Sequence, residues 1–211
     1  MLNMDVERKS PFAAGAKIIA PNHPSFSDPF IIASIIGHQS YILITDVIFH
    51  VPVIGPFLRR LDHIPVAAGQ GQAAVDKALE HLQQGHTVVI FPEGANSPKQ
   101  GGYNKEHTGV ARLALASGAP VYPVGIYLDK DRLQTKKTIV DGQEKFTHRY
   151  THGPYAITIG EAMHFSGELE DREYVKDVAH QVMLKIMNLA AESQQRWNHN
   201  NPPVPGAVEL P

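Results

Sequence analysis

Short apolar runs rich in valine and isoleucine alternate with longer amphipathic segments along this chain. The runs stand at residues 17–20, 87–90, 119–128 and 157–159. Short apolar runs bounded by turn residues predict buried strands, and their alternation with helical patterns is typical of a parallel sheet covered by helices. The pattern therefore predicts an α/β fold, with one domain in which helices flank a largely parallel, mixed sheet.

The amphipathic segments predict four helices and one irregular excursion. The helices are expected over residues 29–37, 73–84, 109–117 and 170–195. Asp28 stands where a carboxylate favours a helix start, and Gly85 and Gly118 stand where glycine commonly ends one. Residues 130–155 are polar and poorly patterned, which predicts a hairpin or an excursion from the sheet.

No stretch of the sequence reaches the roughly 18 to 20 uninterrupted apolar residues that a membrane-spanning helix requires. The nearest approach, residues 41–58, is interrupted by Asp46, His50, Pro52 and Pro56. Because prolines end helices, this segment predicts a buried helix-turn-helix instead of a span.

A smaller hydrophobic patch at residues 49–57 lies beside two cations, Arg59 and Arg60. Apolar surface next to positive charge is suited to contact with a bilayer surface. Peripheral membrane contact is therefore expected even though the chain is not expected to cross the membrane.

The composition places the protein in a broad class. The chain has 211 residues, of which 43% are hydrophobic and 19% charged, enough for one soluble globular domain. A net charge of -2 without a long basic run argues against nucleic acid as a partner. Without cysteine the chain has neither disulfides nor thiol catalysis, and its start lacks a signal-peptide pattern, so we expect a cytoplasmic location.

The division of the chain follows from the same patterns. Residues 1–195 are predicted to form the single domain, and no internal repeat is evident. The proline-rich end predicts a disordered tail over residues 196–211.

The first motif with possible chemistry reads NHPSFSD over residues 22–28, directly after the strand predicted at 17–20. It places His23 and Asp28 five residues apart. Histidine exchanges a proton near neutral pH, and a carboxylate on its other ring nitrogen fixes the tautomer. By itself the spacing also fits a surface histidine beside an Asp28 that caps a helix.

The second motif reads FPEG over residues 91–94 and again follows a predicted strand, at 87–90. A third segment, VYPVGI, stands at residues 121–126. The order and spacing of the three motifs resemble those of the glycerolipid acyltransferases, the family that includes 1-acylglycerol-3-phosphate acyltransferase. The likeness runs from about Lys17 to Leu189.

The resemblance implies direct transfer of an acyl group from acyl-CoA or acyl carrier protein to a hydroxyl of a lipid or other alcohol acceptor. It implies His23 as general base, Asp28 as the group that orients it, and Glu93 and Gly94 in the acceptor pocket. Asn22 or a backbone N–H is expected to stabilise the oxyanion, and Ser25, with Ser27, to hold the loop by hydrogen bonds. No cofactor is implied, and the 12 histidines show no metal-binding spacing.

The chain departs from the family at three positions that are expected to contact the acceptor's phosphate. The residues that stand there are Ala68, Asn96 and His107, where the family usually has cationic or phosphate-contacting residues. Neither alanine nor asparagine replaces the two charge-assisted hydrogen bonds of an arginine. The departures predict an acceptor without a phosphomonoester at that place. The alternative is an ordinary 1-acylglycerol-3-phosphate acyltransferase, in which other cations bind the phosphate: Lys99, Lys105 and Arg112.

Two further functions remain open from the sequence. Residues 69–74 fit the glycine pattern of a dinucleotide-binding turn through Gly69 and Gly71, with Glu93 some two dozen residues on. A short preceding strand that contains a proline weakens that interpretation. An inactive lipid-binding homologue is the other possibility, and the intact His23, Asp28 and Glu93 argue against it.

Overall fold

One mixed sheet organises the part of the chain that the computed structural model describes, residues 1–140 and 143–202. Its strands are β1 (Leu2–Arg8), β2 (Lys17–Pro21), β3 (Ser40–Thr45), β4 (Ile64–Val66), β5 (Thr87–Val89), β6 (Val121–Leu128) and β9 (Gly153–Ile159). The spatial order is β1-β9-β6-β2-β5-β3-β4. Neighbouring strands are parallel except β6 and β9, which confirms the predicted largely parallel, mixed sheet.

Helices cover both faces of this sheet. They are α1 (Asp28–Ile36), α2 (Asp46–Phe49), α3 (Ile54–Arg60), α4 (Gly71–Gln83), α5 (Gly109–Ser117) and α6 (Arg172–Asn200). Successive strand side chains point to opposite faces, so Ile18 packs in the core under α4, α5 and α6, and Ile19 in the core beside α1. The predicted α/β architecture with flanking helices is therefore confirmed.

The polar segment after β6 forms the predicted excursion. It begins with a short 3-10 turn at Lys130–Arg132 and continues as an antiparallel hairpin of β7 (Gln134–Val140) and β8 (Gln143–Arg149). This hairpin forms its own two-stranded sheet and returns the chain to β9.

The structure corrects the helix-turn-helix that was predicted for residues 41–58. The first part of this segment is strand β3, in which Tyr41 and Ile42 pair with Val88 and Val89 of β5. Isoleucine and tyrosine fit a strand that is covered on both faces, and burial in the sheet outweighed the apparent helical pattern. Only α2 and α3 form the helical pair. Among residues 1–140 and 143–202, each helix is either too short or too polar to span a bilayer.

The two ends of the chain also differ from expectation. Strand β1, which the sequence analysis did not predict, lies at the sheet edge and pairs in parallel with β9. Helix α6 continues past residue 195, because Arg196 donates hydrogen bonds to Asp5 and to the backbone oxygen of Ile157. Residues 196–200 are therefore helical and not part of a disordered tail. Residues 203–211 of the predicted tail lie outside the described residues.

Candidate active site

The two motifs meet at one edge of the sheet. The NHPSFSD loop begins directly after β2, and the FPEG loop follows β5, the parallel neighbour of β2. Parallel neighbours end at the same edge, and binding sites of open α/β sheets lie outside the carboxyl ends of the strands. The sheet topology therefore places His23 and Glu93 together, as the resemblance implies.

His23 and Asp28 form a hydrogen-bonded pair. The distance from His23 Nδ1 to Asp28 Oδ2 is 2.9 Å, and Asp28 is fully buried. An ionised carboxylate only accepts hydrogen bonds, so Nδ1 carries the proton and Nε2 is left as the basic nitrogen. The His23 side chain is 17% exposed. The alternative of a surface histidine beside a capping aspartate is therefore wrong.

Two further contacts fix this pair. The Ser25 backbone N–H donates to Asp28 Oδ2 over 2.7 Å, so the loop itself orients the carboxylate. The His23 ring packs on Phe91 with 4.4 Å between ring centroids. Ser25 and Ser27 share a hydrogen bond between their hydroxyls, as expected for residues that hold the loop.

Tyr155 is a contact of Asp28 that sequence reasoning missed. Its hydroxyl, from strand β9, donates to Asp28 Oδ1, and the side chain is fully buried. Burial first, and then the charge of Asp28, raise the pKa of Tyr155 well above its ordinary value of 10. The phenol therefore stays protonated. An isolated tyrosine in an apolar strand gives no sequence signal for this role.

Glu93 holds the loop that carries His23. Its Oε1 accepts from the His23 backbone N–H over 3.0 Å and from the Ser97 hydroxyl over 2.6 Å, and Oε2 accepts from the Asn104 backbone N–H over 2.9 Å. A buried carboxylate requires such donors, since an unpaired buried charge is costly. The motif glutamate is therefore a buried link between two loops, and its oxygens are already engaged by the protein.

Gly94 and His107 are in direct contact. Gly94 has a φ of 66°, and a Cβ atom on it would lie 2.8 Å from Cδ2 of the His107 ring. The left-handed conformation and this close approach both require glycine. His107 is exposed and its backbone N–H donates to the oxygen of Pro92, so it is part of the same loop system.

The Asn22 side-chain amide bonds to strand β6. Its Nδ2 donates to the Ile126 backbone oxygen over 2.9 Å, and its Oδ1 accepts from the Ile126 N–H over 2.7 Å. These two bonds tie the loop to β6 in the manner of an extra sheet pair. Asn22 therefore has a structural role, and its oxyanion role, through the second hydrogen of Nδ2, stays a prediction.

Asn96 is also engaged by the protein. Its Nδ2 donates to the His23 backbone oxygen over 3.3 Å, and its Oδ1 accepts from the His148 N–H over 3.2 Å. Where an arginine is expected from the resemblance, this chain has an amide that ties the histidine loop to strand β8.

Ala68 stands apart from the other candidate residues. It is exposed in the turn after β4, which is the edge strand. Strand β4 is three positions from β2, roughly 14 Å in a sheet of ordinary spacing. The structure therefore does not bring Ala68 close to the His23 and Asp28 pair.

A cavity of about 420 Å³ lies beside the histidine loop, and Asn22, Pro24 and Ser97 are in its wall. Its wall also contains Lys130, a cation that sequence reasoning missed. The Lys130 amine donates to the Pro98 oxygen over 3.3 Å, and burial lowers its pKa.

The three cations that were expected to bind a phosphate in place of arginine have no hydrogen bond to the loops of this site or bond to other residues. Lys99 donates to the Leu133 oxygen and Arg112 to Gln72. Lys105 is exposed and, within the described part of the chain, makes no hydrogen bond to the loops of the site. Of these four cations, it is Lys130 that lies in the wall of the cavity.

The geometry does not support a dinucleotide site at Gly69 and Gly71. The turn follows the short edge strand β4, and Glu93, which would have to bind the ribose, is buried with both oxygens bonded to the protein. Within the described residues, no group of three or more His, Asp or Glu side chains is arranged to hold a metal ion.

Comparison with known proteins agrees with this geometry. The crystal structure of the 1-acyl-sn-glycerophosphate (LPA) acyltransferase PlsC from Thermotoga maritima is similar, with 26% sequence identity and a TM-score of 0.56. The match covers 85% of this chain and 71% of that one. No curated protein matches the chain. The family model described as Acyltransferase matches residues 3–127, more than half of the sequence, and the protein therefore belongs to the acyltransferase family.

Proposed function

We propose that this acyltransferase moves a fatty acyl group from the thioester of acyl-CoA or acyl carrier protein to a hydroxyl of a lipid or related acceptor. His23 Nε2 takes the hydroxyl proton while the acceptor oxygen attacks the thioester carbonyl. The tetrahedral intermediate then collapses, and the departing thiolate receives the proton from His23. The observation that carries the proposal is the bond from His23 Nδ1 to the buried Asp28, which leaves Nε2 as the base.

The proposed reaction needs only the acyl donor, the acceptor and these side chains, without a metal or another cofactor. The acyl group passes directly to the acceptor, so no covalent acyl-enzyme intermediate forms. Ser25, the hydroxyl nearest in sequence to His23, bonds to Ser27 and to the backbone oxygen of His148, so it serves the loop. A residue that is held in this way is poorly placed to be a nucleophile.

The proposed acceptor lacks a phosphomonoester at the place where related enzymes use arginine. Both polar atoms of the Asn96 amide already bond to the protein, and the amide carries no charge. A phosphate that loses its hydration beside Asn96 would lack the two charge-assisted hydrogen bonds of an arginine, and one missing charged hydrogen bond costs about 1.5 to 3 kcal/mol.

An ordinary 1-acylglycerol-3-phosphate acyltransferase is the second candidate. Two observations favour it: the 26% identity to the Thermotoga maritima enzyme, and Lys130 in the cavity wall. Lys130 is then the cation that binds the phosphate in place of the arginines.

Steady-state transfer to uncharged and phosphorylated acceptors separates the two candidates. We expect kcat/KM for a monoacylglycerol or a glycolipid to exceed that for lysophosphatidic acid or glycerol-3-phosphate by roughly tenfold or more, the equivalent of one lost charged hydrogen bond. A preference for the phosphorylated acceptors contradicts this expectation. If that preference then disappears in Lys130→Gln, the second candidate is established with Lys130 as its phosphate ligand.

We also propose that the protein is cytoplasmic and contacts the inner face of the membrane peripherally through α3. Every fourth residue along this helix and its two caps is an exposed apolar residue, and together they form the α3 stripe: Val53, Phe57 and Leu61. Their exposed fractions are 84%, 53% and 37%. Val53 adopts a φ of 70°, which is rare for a β-branched residue. Helix α2 directly follows β3, at the same sheet edge as the histidine loop, and α3 packs on α2 with Arg60 in its last turn.

Binding to lipid vesicles tests the α3 stripe. The double variant Val53→Ser and Phe57→Ser is expected to bind vesicles that contain anionic lipid about tenfold more weakly or worse, as measured by sedimentation. Each apolar side chain that no longer enters the bilayer removes on the order of 1 kcal/mol of binding free energy. Leu184→Ser, an exposed position on α6, is the matched control and is expected to bind like the wild type. Equal binding of both variants contradicts a role for α3.

A further inference from the structure

The Asp28 carboxylate has partners from separate parts of the fold. Oδ2 accepts from His23 Nδ1 and from the Ser25 backbone N–H, both in the histidine loop. Oδ1 accepts from the hydroxyl of Tyr155 on β9, a residue 127 positions away in the sequence. Within the described residues, Tyr155 is the one hydrogen-bond partner that Oδ1 has.

Tyr155 lies in a strand that pairs with a neighbour on each side. It lies in β9, paired in antiparallel register with Leu128 of β6 and in parallel register with Met4 of β1. Its side chain is fully buried, and the ring of Tyr150 lies 6.2 Å away between centroids. A hydroxyl on such a strand has little freedom, so it can fix the rotation of the carboxylate that it contacts.

If His23 and Ser25 were the only partners of Asp28, its second carboxylate oxygen, Oδ1, would be buried without a donor. An unsatisfied buried oxygen favours rotation of the carboxylate, and rotation would break the bond to Nδ1. The hydroxyl of Tyr155 supplies that donor.

We propose that Tyr155 is a positioning residue of the acyltransferase, which acts through Asp28 to hold His23 in the tautomer and orientation of a general base. This inference rests on the proposed function, in which His23 removes the acceptor proton. Tyr155 itself need not touch either substrate. The chain of contacts from β9 through Asp28 to His23 therefore links the catalytic loop to a strand that is distant from it in sequence.

Tyr155→Phe tests the role with the least change in shape, since it removes one hydroxyl from a buried ring. We expect kcat to fall about 10- to 100-fold, as for loss of a hydrogen bond to a charged group, and KM for the acyl donor to stay within about twofold. We also expect the acidic limb of the pH–rate profile to move to lower pH. Without the phenol, the Asp28 carboxylate rotates away from Nδ1, and the protonated form of His23 loses its stabilising partner.

The matched control is Tyr122→Phe. Tyr122 is a buried tyrosine on neighbouring strand β6, and its hydroxyl accepts from the Ala13 N–H over 2.8 Å without contact to the His23 and Asp28 pair. It loses a hydroxyl of the same kind, so its melting temperature should fall by a similar amount. We expect its kcat and pH profile to match the wild type. An equal loss of kcat in both variants would show a general effect of destabilisation and would overturn the proposal.

A measurement on the histidine ring separates this inference from the proposed function. NMR titration of the His23 ring nitrogens follows the tautomer and the proton without any turnover. In Tyr155→Phe the ring is expected to titrate at lower pH than in the wild type and in Tyr122→Phe, because its bond to Asp28 is lost. If the wild type transfers no acyl group to any acceptor, the proposed function fails while this shift still reports the role of Tyr155. Identical titration in all three proteins overturns the role of Tyr155 even where transfer is observed.

Discussion

Replacement of His23 by alanine is expected to lower kcat by about 10²- to 10⁴-fold, the range for loss of a general base. The ring is the only part of the proposed machinery that this change removes, because the backbone N–H of His23 still donates to Glu93. The fold should therefore survive. Single-turnover and steady-state transfer from acyl-CoA measure the loss of activity. Circular dichroism of the purified variant measures whether the fold is intact.

The control for this variant is His180→Ala. His180 lies on α6, and its half-exposed ring pairs with Glu106, away from the histidine loop. A surface pair of this kind contributes at most about 1 kcal/mol, so activity should not change. If His23→Ala keeps more than about a tenth of the wild-type kcat, another group acts as the base.

Replacement of Asp28 by asparagine is expected to be nearly as severe, with kcat lowered by about 10²- to 10⁴-fold. Oδ2 accepts from both His23 Nδ1 and the Ser25 N–H, and Oδ1 accepts from the Tyr155 hydroxyl. An asparagine keeps these contacts with its oxygen toward His23 and Ser25 and its NH₂ toward the phenol oxygen. The negative charge that stabilises the protonated imidazole is lost, so transfer of the acceptor proton to His23 becomes less favourable.

Asp62→Asn serves as the matched control for this change. Asp62 is exposed and has a φ of 55°, a conformation that asparagine tolerates, and it lies outside the loops of the candidate site. Its variant is expected to transfer acyl groups at the wild-type rate. NMR titration of the ring nitrogens should show that the protonated form of His23 is less stable in Asp28→Asn than in the wild type. An unchanged titration together with an unchanged kcat would show that the charge of Asp28 does not support the base.

The pairing of His23 with Asp28 illustrates what can be predicted from the amino-acid sequence. Both residues lie within one loop, five positions apart, so the path between them is short and the motif itself implies their contact. The FPEG motif could be placed next to this loop because each motif follows a strand, and parallel strands of one sheet end at a common edge. The main strands and helices could also be predicted, because the hydrophobic pattern reports local burial.

The roles of individual polar groups could not be predicted in this way. Nothing in the motif indicated that the Asn22 amide pairs with Ile126, 104 residues away. Asn96 was expected near the acceptor, but it joins His23 to His148 of the hairpin. Whether a side-chain amide is free depends on which backbone groups lack a partner nearby, and that is decided by the packing of distant segments.

The sequence by itself determined the α/β class, the single domain and the histidine and aspartate pair, because periodicity and short motifs are local properties of the chain. Only the tertiary structure decided that residues 41–45 join the sheet, that β1 closes its edge beside β9, and that Tyr155 reaches Asp28. Each of these depends on the order of strands in space. That order is set by which apolar faces bury one another across long loops, and no local pattern records it.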